Sequence, residues 1–294
     1  MGGMQGAVRV CVLGPVAIEH HDVRTVVGSH RAASLLAVLA LSGPGWVEER
    51  ALVERLWDGP APRTARQQLH TTVSRLRSQF GCIAEESNWL QSRRHGYRLA
   101  RDVRVDAAEF RQALGVAGSM RSSAPADAAR HLAEALELWS GEMADGASDA
   151  AGALGAPLVE ARASAIRELA RHELTTGDAA LAVDRLRPLV AEDPYDEESA
   201  ALVARALAES GHPKEAETLC RETARRLRVE LGVSAGPELV TAYRSITRPG
   251  HDAVSAISQR STDPLVSLVI GLVGALPEPT KSQLLAGLHS VNGM

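Results

Sequence analysis

The chain has 294 residues, of which 45% are hydrophobic and only 3% aromatic, and it carries a formal net charge of −4. That length allows about two domains, each with a real core, and an apolar fraction dominated by Ala and Leu favours helices packed on helices over a β-sandwich. The net acidity is an average over unlike halves. Residues 1–105 hold 14 Arg against 9 Asp plus Glu, a balance of +5, and the remainder holds 18 Lys plus Arg against 27 acids, a balance of −9. A basic front is thus joined to an acidic back. Cys11, Cys82 and Cys220 are isolated, without C-x-x-C spacing, which speaks against a disulfide framework or zinc site and for a reducing cytoplasm. The first ten residues lack an apolar signal core and no run of 18 apolar residues occurs, so a soluble, cytoplasmic protein without membrane contact is expected.

From the start, VRVCVLGPVAIEHH reads as a strand, a turn at Gly14-Pro15 and a second strand. Gly28-Ser29 supplies a turn and an N-cap for a helix from about His30 to Ser42, with Ala32, Leu35, Leu36 and Leu39 inward. A second helix, about Glu48 to Trp57, buries Leu52 and Leu56 and stops at Asp58-Gly59-Pro60.

The third helix, Pro62 to Phe80, is the most informative stretch. Ala65, Leu69, Val73, Leu76 and Phe80 recur at steps of three and four and share one face. Gln67, Thr71, Ser74, Arg75 and Ser78 point the opposite way. A rotation of about 100° per residue puts Arg63 and His70 on one flank and Thr64 on the other. The segment has four Arg and no acid, so its open side suits phosphates and base edges; a merely basic surface helix is the plain alternative. Beyond it, NWLQSRRHGYRL forms a hairpin with Arg93-Arg94-His95-Gly96 at its tip, a basic loop able to lie along a neighbouring groove or backbone.

The run from Val8 to Leu99 resembles the winged helix-turn-helix domain of the Streptomyces antibiotic regulatory protein (SARP) family. The resemblance is carried by VRVCVLGPVAI, GSHRAASLLAVLAL, the R-L-W-x-x-x-x-P-x-T-A arrangement at Arg55 to Ala65, V-S-R-L-R at Val73 to Arg77, and GYRL at the end of the wing. It implies that Pro62 to Phe80 is the recognition helix and that Arg63, Thr64, Gln67, His70, Thr71, Ser74, Arg75 and Arg77, with Arg93 and Arg94 of the wing, are the DNA-contacting set. By side-chain chemistry Gln67 and Arg75 suit base edges, whereas Arg63, Arg77, Thr64 and Thr71 suit phosphates. Two departures stand out: no Ser or Thr caps the second helix near Glu48, and an acidic Glu85-Glu86-Ser87 precedes the wing.

After Val105 the pattern is helical. DAAEFRQAL reads as a short helix, GVAGSMRSSAPA as a flexible break, and GEMADGASDAAGALGAP as a long loop between helices at Asp127 to Trp139 and Leu158 to Thr176. Further helices are expected at Asp178 to Ala191, Glu197 to Ser210, Pro213 to Leu231 and Pro237 to Ile246. Gly177 and Gly211, and likewise Ala182 and Ala216, stand 34 residues apart, the period of tetratricopeptide-like repeats. ELWSGE, these repeats and VELGVSAGPEL resemble the bacterial transcriptional activation domain of SARPs. The tail after Arg248 carries two more amphipathic or apolar helical patterns, with Asp263-Pro264 and Thr280 with Gln283 as their start signals.

No phosphate-binding G-x-x-x-x-G-K-[ST], no G-x-G-x-x-G, no G-x-S-x-G and no H-E-x-x-H is present, so no enzyme activity, cofactor or metal is expected. The expectation is a mainly α protein with three parts: a winged helix-turn-helix domain over 7–104, a helical activation domain over 105–248 and a helical extension over 249–294. The resemblance implies a DNA-binding activator that recognises direct repeats in promoter DNA, as a homodimer or side by side, and recruits RNA polymerase to a secondary-metabolite gene cluster in the nucleoid. The alternative is a helical-repeat adaptor or ligand sensor whose winged helix serves protein contacts.

Overall fold

The computed structural model describes residues 8–21, 23–57, 59–81 and 88–247. The chain divides into two compact units, Met1–His172 and Glu173–Met294, the division falling within one long helix. The tail from 248, the Glu85-Glu86-Ser87 run and Cys82 lie outside the described residues.

In the first unit, β1 (Arg9–Cys11) pairs antiparallel with β2 (Ala17–His20), and β2 with β3 (Val23–Val26). β1 also pairs in parallel with β7 (Arg104–Val105), giving the order β3-β2-β1-β7. Three helices follow β3: α1 (His30–Leu41), α2 (Glu49–Arg55) and α3 (Ala65–Gln79). A second sheet combines β4 (Val47–Glu48) with the hairpin strands β5 (Leu90–Arg93) and β6 (Gly96–Leu99) in the order β4-β6-β5. This is the three-helix-plus-wing arrangement that the periodicities predict. α1 is buried almost throughout, from Ala32 to Ala40, because α2, α3 and β6 all pack on it. Ser29 holds the N-cap position of α1, but its hydroxyl makes no capping bond.

The packing of this unit runs through residue 105. The carboxylate of Asp106, at the first position of α4 (Asp106–Met120), accepts hydrogen bonds from the backbone N–H groups of Val12 at 2.8 Å, Leu13 at 2.9 Å and Ala107 at 2.7 Å. Burial pushes this carboxyl above its ordinary value, against the pull of those three donors. Phe110 is fully buried and stands edge-on to Trp139, with ring centroids 5.5 Å apart. The segment expected as a free Gly/Ala loop is tied down as well. Leu13 and Val12 carbonyls accept from the N–H groups of Ser140 and Ala144, each at 2.8 Å. A Cβ on Gly14 would lie 2.2 Å from Ser140 Oγ, so only glycine lets that segment cross the β1–β2 turn. Ser148 donates its hydroxyl to the Arg55 carbonyl at 2.7 Å and its N–H to Ser34 Oγ at 2.8 Å, closing the end of α2 against α1.

Two expectations are corrected here. The helix expected to end before Gly115 continues through Gly115 and Gly118 to Met120, because Ala117 is buried with Ala129, Leu132 and Leu169; packing outweighs the roughly 1 kcal/mol that each glycine costs a helix. The helix expected from Leu158 begins at Asp149 as α6 (Asp149–Thr176), with Pro157 inside it. Ala151 and Leu158 are core residues, and a Cβ on Gly155 would lie 2.6 Å from Met143 carbons, so Gly155, one of the glycines that suggested a loop, serves close packing instead. Between α4 and α6 lies α5 (Pro125–Leu136).

The second unit, beyond the start it shares with α6, stacks α7 (Ala179–Glu192), α8 (Glu197–Glu209), α9 (Pro213–Arg226) and α10 (Pro237–Thr247), each in contact with its neighbour in sequence. Gly177 and Gly211 both adopt the left-handed conformation, with φ of 90° and 85°, and Ala182 and Ala216 are both fully buried. The 34-residue spacing thus places equivalent turns and equivalent helix contacts, as in tetratricopeptide-like repeats. Asp196 caps α8 by accepting from Ser199 N–H at 3.0 Å. The helix expected to run unbroken to Leu231 changes to a π-turn at Leu227–Leu231, ended by Gly232 with φ of 71°. Cys11 and Cys220 are buried thiols, pushed up to about 12 and about 11 by burial.

Because Asp106 and Phe110 complete the first unit, a fragment ending at Val105 is expected to lack a cooperative thermal transition by calorimetry. In the full chain, Asp106→Ala leaves three buried N–H groups without an acceptor and should lower stability by about 2 kcal/mol or more in urea titration.

Candidate nucleic-acid interface

The helix α3 buries what its periodicity predicts. Ala65, Leu69, Val73, Leu76 and Phe80 are all buried, joined by Thr72. Gln67, Thr71, Ser74, Arg75 and Ser78 are exposed, as are Arg63 and Thr64 at the start and His70 on the flank. Thr71 donates to the Gln67 carbonyl at 3.0 Å, and Gln68 donates to Thr64 Oγ1 at 2.8 Å, so the central polar side chains are held close to the helix. Arg63, Arg75 and Arg94 form no ion pair or cation–π contact with an acid or ring among the described residues.

Two members of the predicted set are engaged with the protein itself. Arg77 donates from Nη2 to the Leu90 carbonyl at 2.7 Å and to Ser92 Oγ at 3.2 Å, with Nε on the same carbonyl at 3.2 Å. It ties α3 to the first strand of the wing, a positioning task rather than an open phosphate donor. His70 Nε2 lies 3.0 Å from Glu49 Oε1, and its ring stands 6.5 Å from that of Tyr97. The acid-free helix therefore has an acid beside it, supplied by the first residue of α2.

Glu49 is a junction of three elements. Its side chain is only 10% exposed, accepts from Arg66 Nε at 2.6 Å as well as from His70, and its backbone N–H donates to the His95 carbonyl at 3.1 Å. The last bond satisfies the first of the open N–H groups at the start of α2, where Glu48 fills the cap position without a side-chain bond. Burial opposes ionisation of Glu49, yet the hydrogen bonds from His70 and Arg66 outweigh it and hold the carboxyl below its ordinary value.

The wing is built on a glycine and a tryptophan. A Cβ on Gly96 would lie 2.8 Å from the Val47 carbonyl oxygen, so glycine permits β4 to lie against β6. The register places Gln91, Arg93, Gly96 and Arg98 on one face of the hairpin. On that face the guanidinium groups of Arg93 and Arg98 lie 4.9 and 4.5 Å from the centroid of the Trp46 ring. Arg93 is thus held against an aromatic plane, while Arg94 is exposed at the tip.

Sequence reasoning missed Glu49, Trp46 and Arg66 as parts of this site. Arg66 stands 17 residues from Glu49, and no local pattern joins them. Trp46 meets the wing only because the two-residue strand β4, too short to leave an alternation signal, pairs with β6.

An exposed polar helix face beside a wing, followed along the chain by repeat helices, is the architecture of a transcriptional regulator. The comparisons agree. The model of the bacterial transcriptional activator domain matches residues 105–247. The transcriptional regulatory protein MoaR1 of Mycobacterium tuberculosis is 27% identical over 270 residues, covering 88% of this chain and 86% of that protein. The transcriptional regulator RedD of Streptomyces coelicolor is 27% identical over 247 residues, covering 82% of this chain and 71% of RedD. The regulatory protein AfsR of the same species is 31% identical over 238 residues, which is 80% of this chain but 24% of AfsR. A solved structure of Mycobacterium tuberculosis EmbR in complex with a low affinity phosphopeptide aligns with a TM-score of 0.71 and 25% identity, covering 86% of this chain and 70% of that one. The chain thus carries the bacterial transcriptional activator domain over 105–247 and is similar over most of its length to SARP-type transcriptional regulators. Among the described residues no helix is long and apolar enough to cross a membrane, and no group of His, Cys, Asp or Glu has metal-ligand geometry.

The lowered Glu49 carboxyl gives a pH signature. A carboxylate whose folded value is depressed contributes stability above its unfolded value, about 4.3, and loses it as pH falls through the folded value. Glu49→Gln is therefore expected to be less stable than the parent at pH 7, by about 1 kcal/mol given the exposed partners, with the gap closing below pH 4. Urea midpoints at pH 7, 5 and 3 check this.

Proposed function

We propose that the chain binds duplex DNA with the exposed face of α3 in a major groove and the wing on the adjacent backbone, and that it activates transcription from that position. The observation that carries this reading is the division of α3: its apolar stripe is buried in the unit, while Gln67, Thr71, Ser74 and Arg75 form an uncovered polar face. Gln67 and Arg75 are of the type that reads adenine and guanine edges in two-pronged fashion. Arg63 at the helix start and Arg94 at the wing tip flank them with free cations suited to phosphates, with Thr64, Thr71 and Ser74 between. Arg93 reaches the backbone from its seat on Trp46, and Arg77 and His70 contribute by fixing the helix against the wing and α2.

In this reading the activator domain over 105–247 contacts RNA polymerase, and the targets are direct repeats in the promoters of a secondary-metabolite cluster, occupied by two copies side by side. The activator domain and the likeness to RedD and AfsR support it. The protein then works in the cytoplasm on the nucleoid, with no cofactor and no catalysis.

The test uses the full chain and duplexes from the promoters nearest its own gene, mapped by footprinting. Arg75→Ala should weaken binding to the footprinted site by about tenfold to a hundredfold, the equivalent of about 1–3 kcal/mol for one lost base contact, with its melting temperature retained. Arg94→Ala should instead weaken all duplexes alike and flatten the salt dependence. A folded Arg75→Ala protein with unchanged site affinity would remove the reading.

A further inference from the structure

We propose that Glu49 withholds Arg66 and His70 from DNA, so that the interface meets a duplex with fewer phosphate-binding cations than α3 supplies in its sequence. The inference rests on the reading that α3 and the wing bind DNA, and it concerns how much of that binding is independent of sequence.

The geometry is asymmetric. The acceptor is fixed: the Glu49 side chain is 10% exposed, at the start of a helix whose first N–H is bonded to the wing. The donors are mobile surface groups, with Arg66 61% and His70 52% exposed. Arg66 and His70 stand one helical turn apart on the flank that faces α2 and the wing, and a second nitrogen of Arg66 reaches to 3.4 Å from His95 Nδ1 at the wing tip. Both lie beside Arg63, which the proposed function assigns to phosphate. Without the carboxylate, Arg66 would have free rotation toward the same backbone. With it, the side chain is bound to a charged acceptor that is already in place before DNA arrives.

The consequence is for specificity. Each phosphate neutralised by a cation adds affinity for every duplex alike, through released counterions. A regulator searching a genome is limited by the ratio of specific to non-specific binding rather than by affinity alone. Pairing a flank arginine to a buried acid lowers the sequence-independent part while leaving Gln67, Thr71, Ser74 and Arg75 open, and it is the repulsive element that discrimination between partners needs.

The experiment measures anisotropy of a fluorescein-labelled duplex of about 25 base pairs of scrambled sequence, with the full chain, over a salt range of about 50 to 200 mM in which such contacts are resolved. The slope of log affinity against log salt should steepen by about 0.9 in Glu49→Gln for each side chain released to a phosphate. Arg66→Ala in the Glu49→Gln background should return the slope toward that of the parent, whereas Arg66→Ala alone should leave it unchanged. That coupling separates release of Arg66 from a general change in net charge, which would act alike with or without Arg66. Equal slopes for parent and folded Glu49→Gln would overturn the inference, and so would a flatter slope in Arg66→Ala alone, since Arg66 would then already be on a phosphate. If Glu49→Gln does not fold, the single Arg66→Ala comparison decides by the same criterion. A parent chain that binds no duplex with any salt dependence overturns the DNA reading itself, a result distinct from a parent that binds and a variant that matches it.

Discussion

The uncovered face of α3 exists because three elements are pinned at one point. Glu49 joins the start of α2 to the tip of the wing through its N–H and to the flank of α3 through its carboxylate. On the far side Arg77 bonds α3 to the first wing strand. Helix and wing are thus fixed relative to each other at both ends of their contact, and the polar face between is exposed among the described residues of its unit. A surface that must match a groove needs this kind of support, because a loose helix spends binding energy on being ordered.

The same logic explains why the packing of the winged-helix part draws on the chain beyond residue 105. Asp106 satisfies the N–H groups left open where β1 turns toward β2, and the segment from Ser140 to Ser148 lines that turn and closes α2 against α1. The activator-domain model begins at 105, yet the compact unit extends to His172. The boundary that composition suggests near 105 is a change of chemical character, from basic to acidic, and packing passes straight through it.

What the sequence makes legible here is whatever repeats locally. The stripe Ala65, Leu69, Val73, Leu76 fixes both the buried and the open side of α3, and the spacing of Gly177 and Gly211 marks two equivalent turns. The basic hairpin tip follows from Arg93 to Gly96 and is found at the turn between β5 and β6. Illegible were features made by distant partners. β3, β4 and β7 are two to four residues long and exist because a neighbour pairs with them. Gly115 and Gly118 read as breaks but lie exposed on a helix that the buried Ala117 anchors, and Gly155 packs on Met143; no local window contains either contact. The acid that faces α3 lies 17 and 21 residues away, so counting charges along that helix gives the right sign for its open face and misses the neutralised flank.

The most direct measurement of the central claim is photocrosslinking from Thr71, at the middle of the open face, in the full chain bound to a footprinted promoter duplex. With a benzophenone side chain at that position, crosslinks should form to bases of the footprinted site in one register, and the same probe at the buried-face neighbour Val73 should give none. A protein that occupies the duplex while the Thr71 probe crosslinks only to protein, or to nothing, would contradict the account.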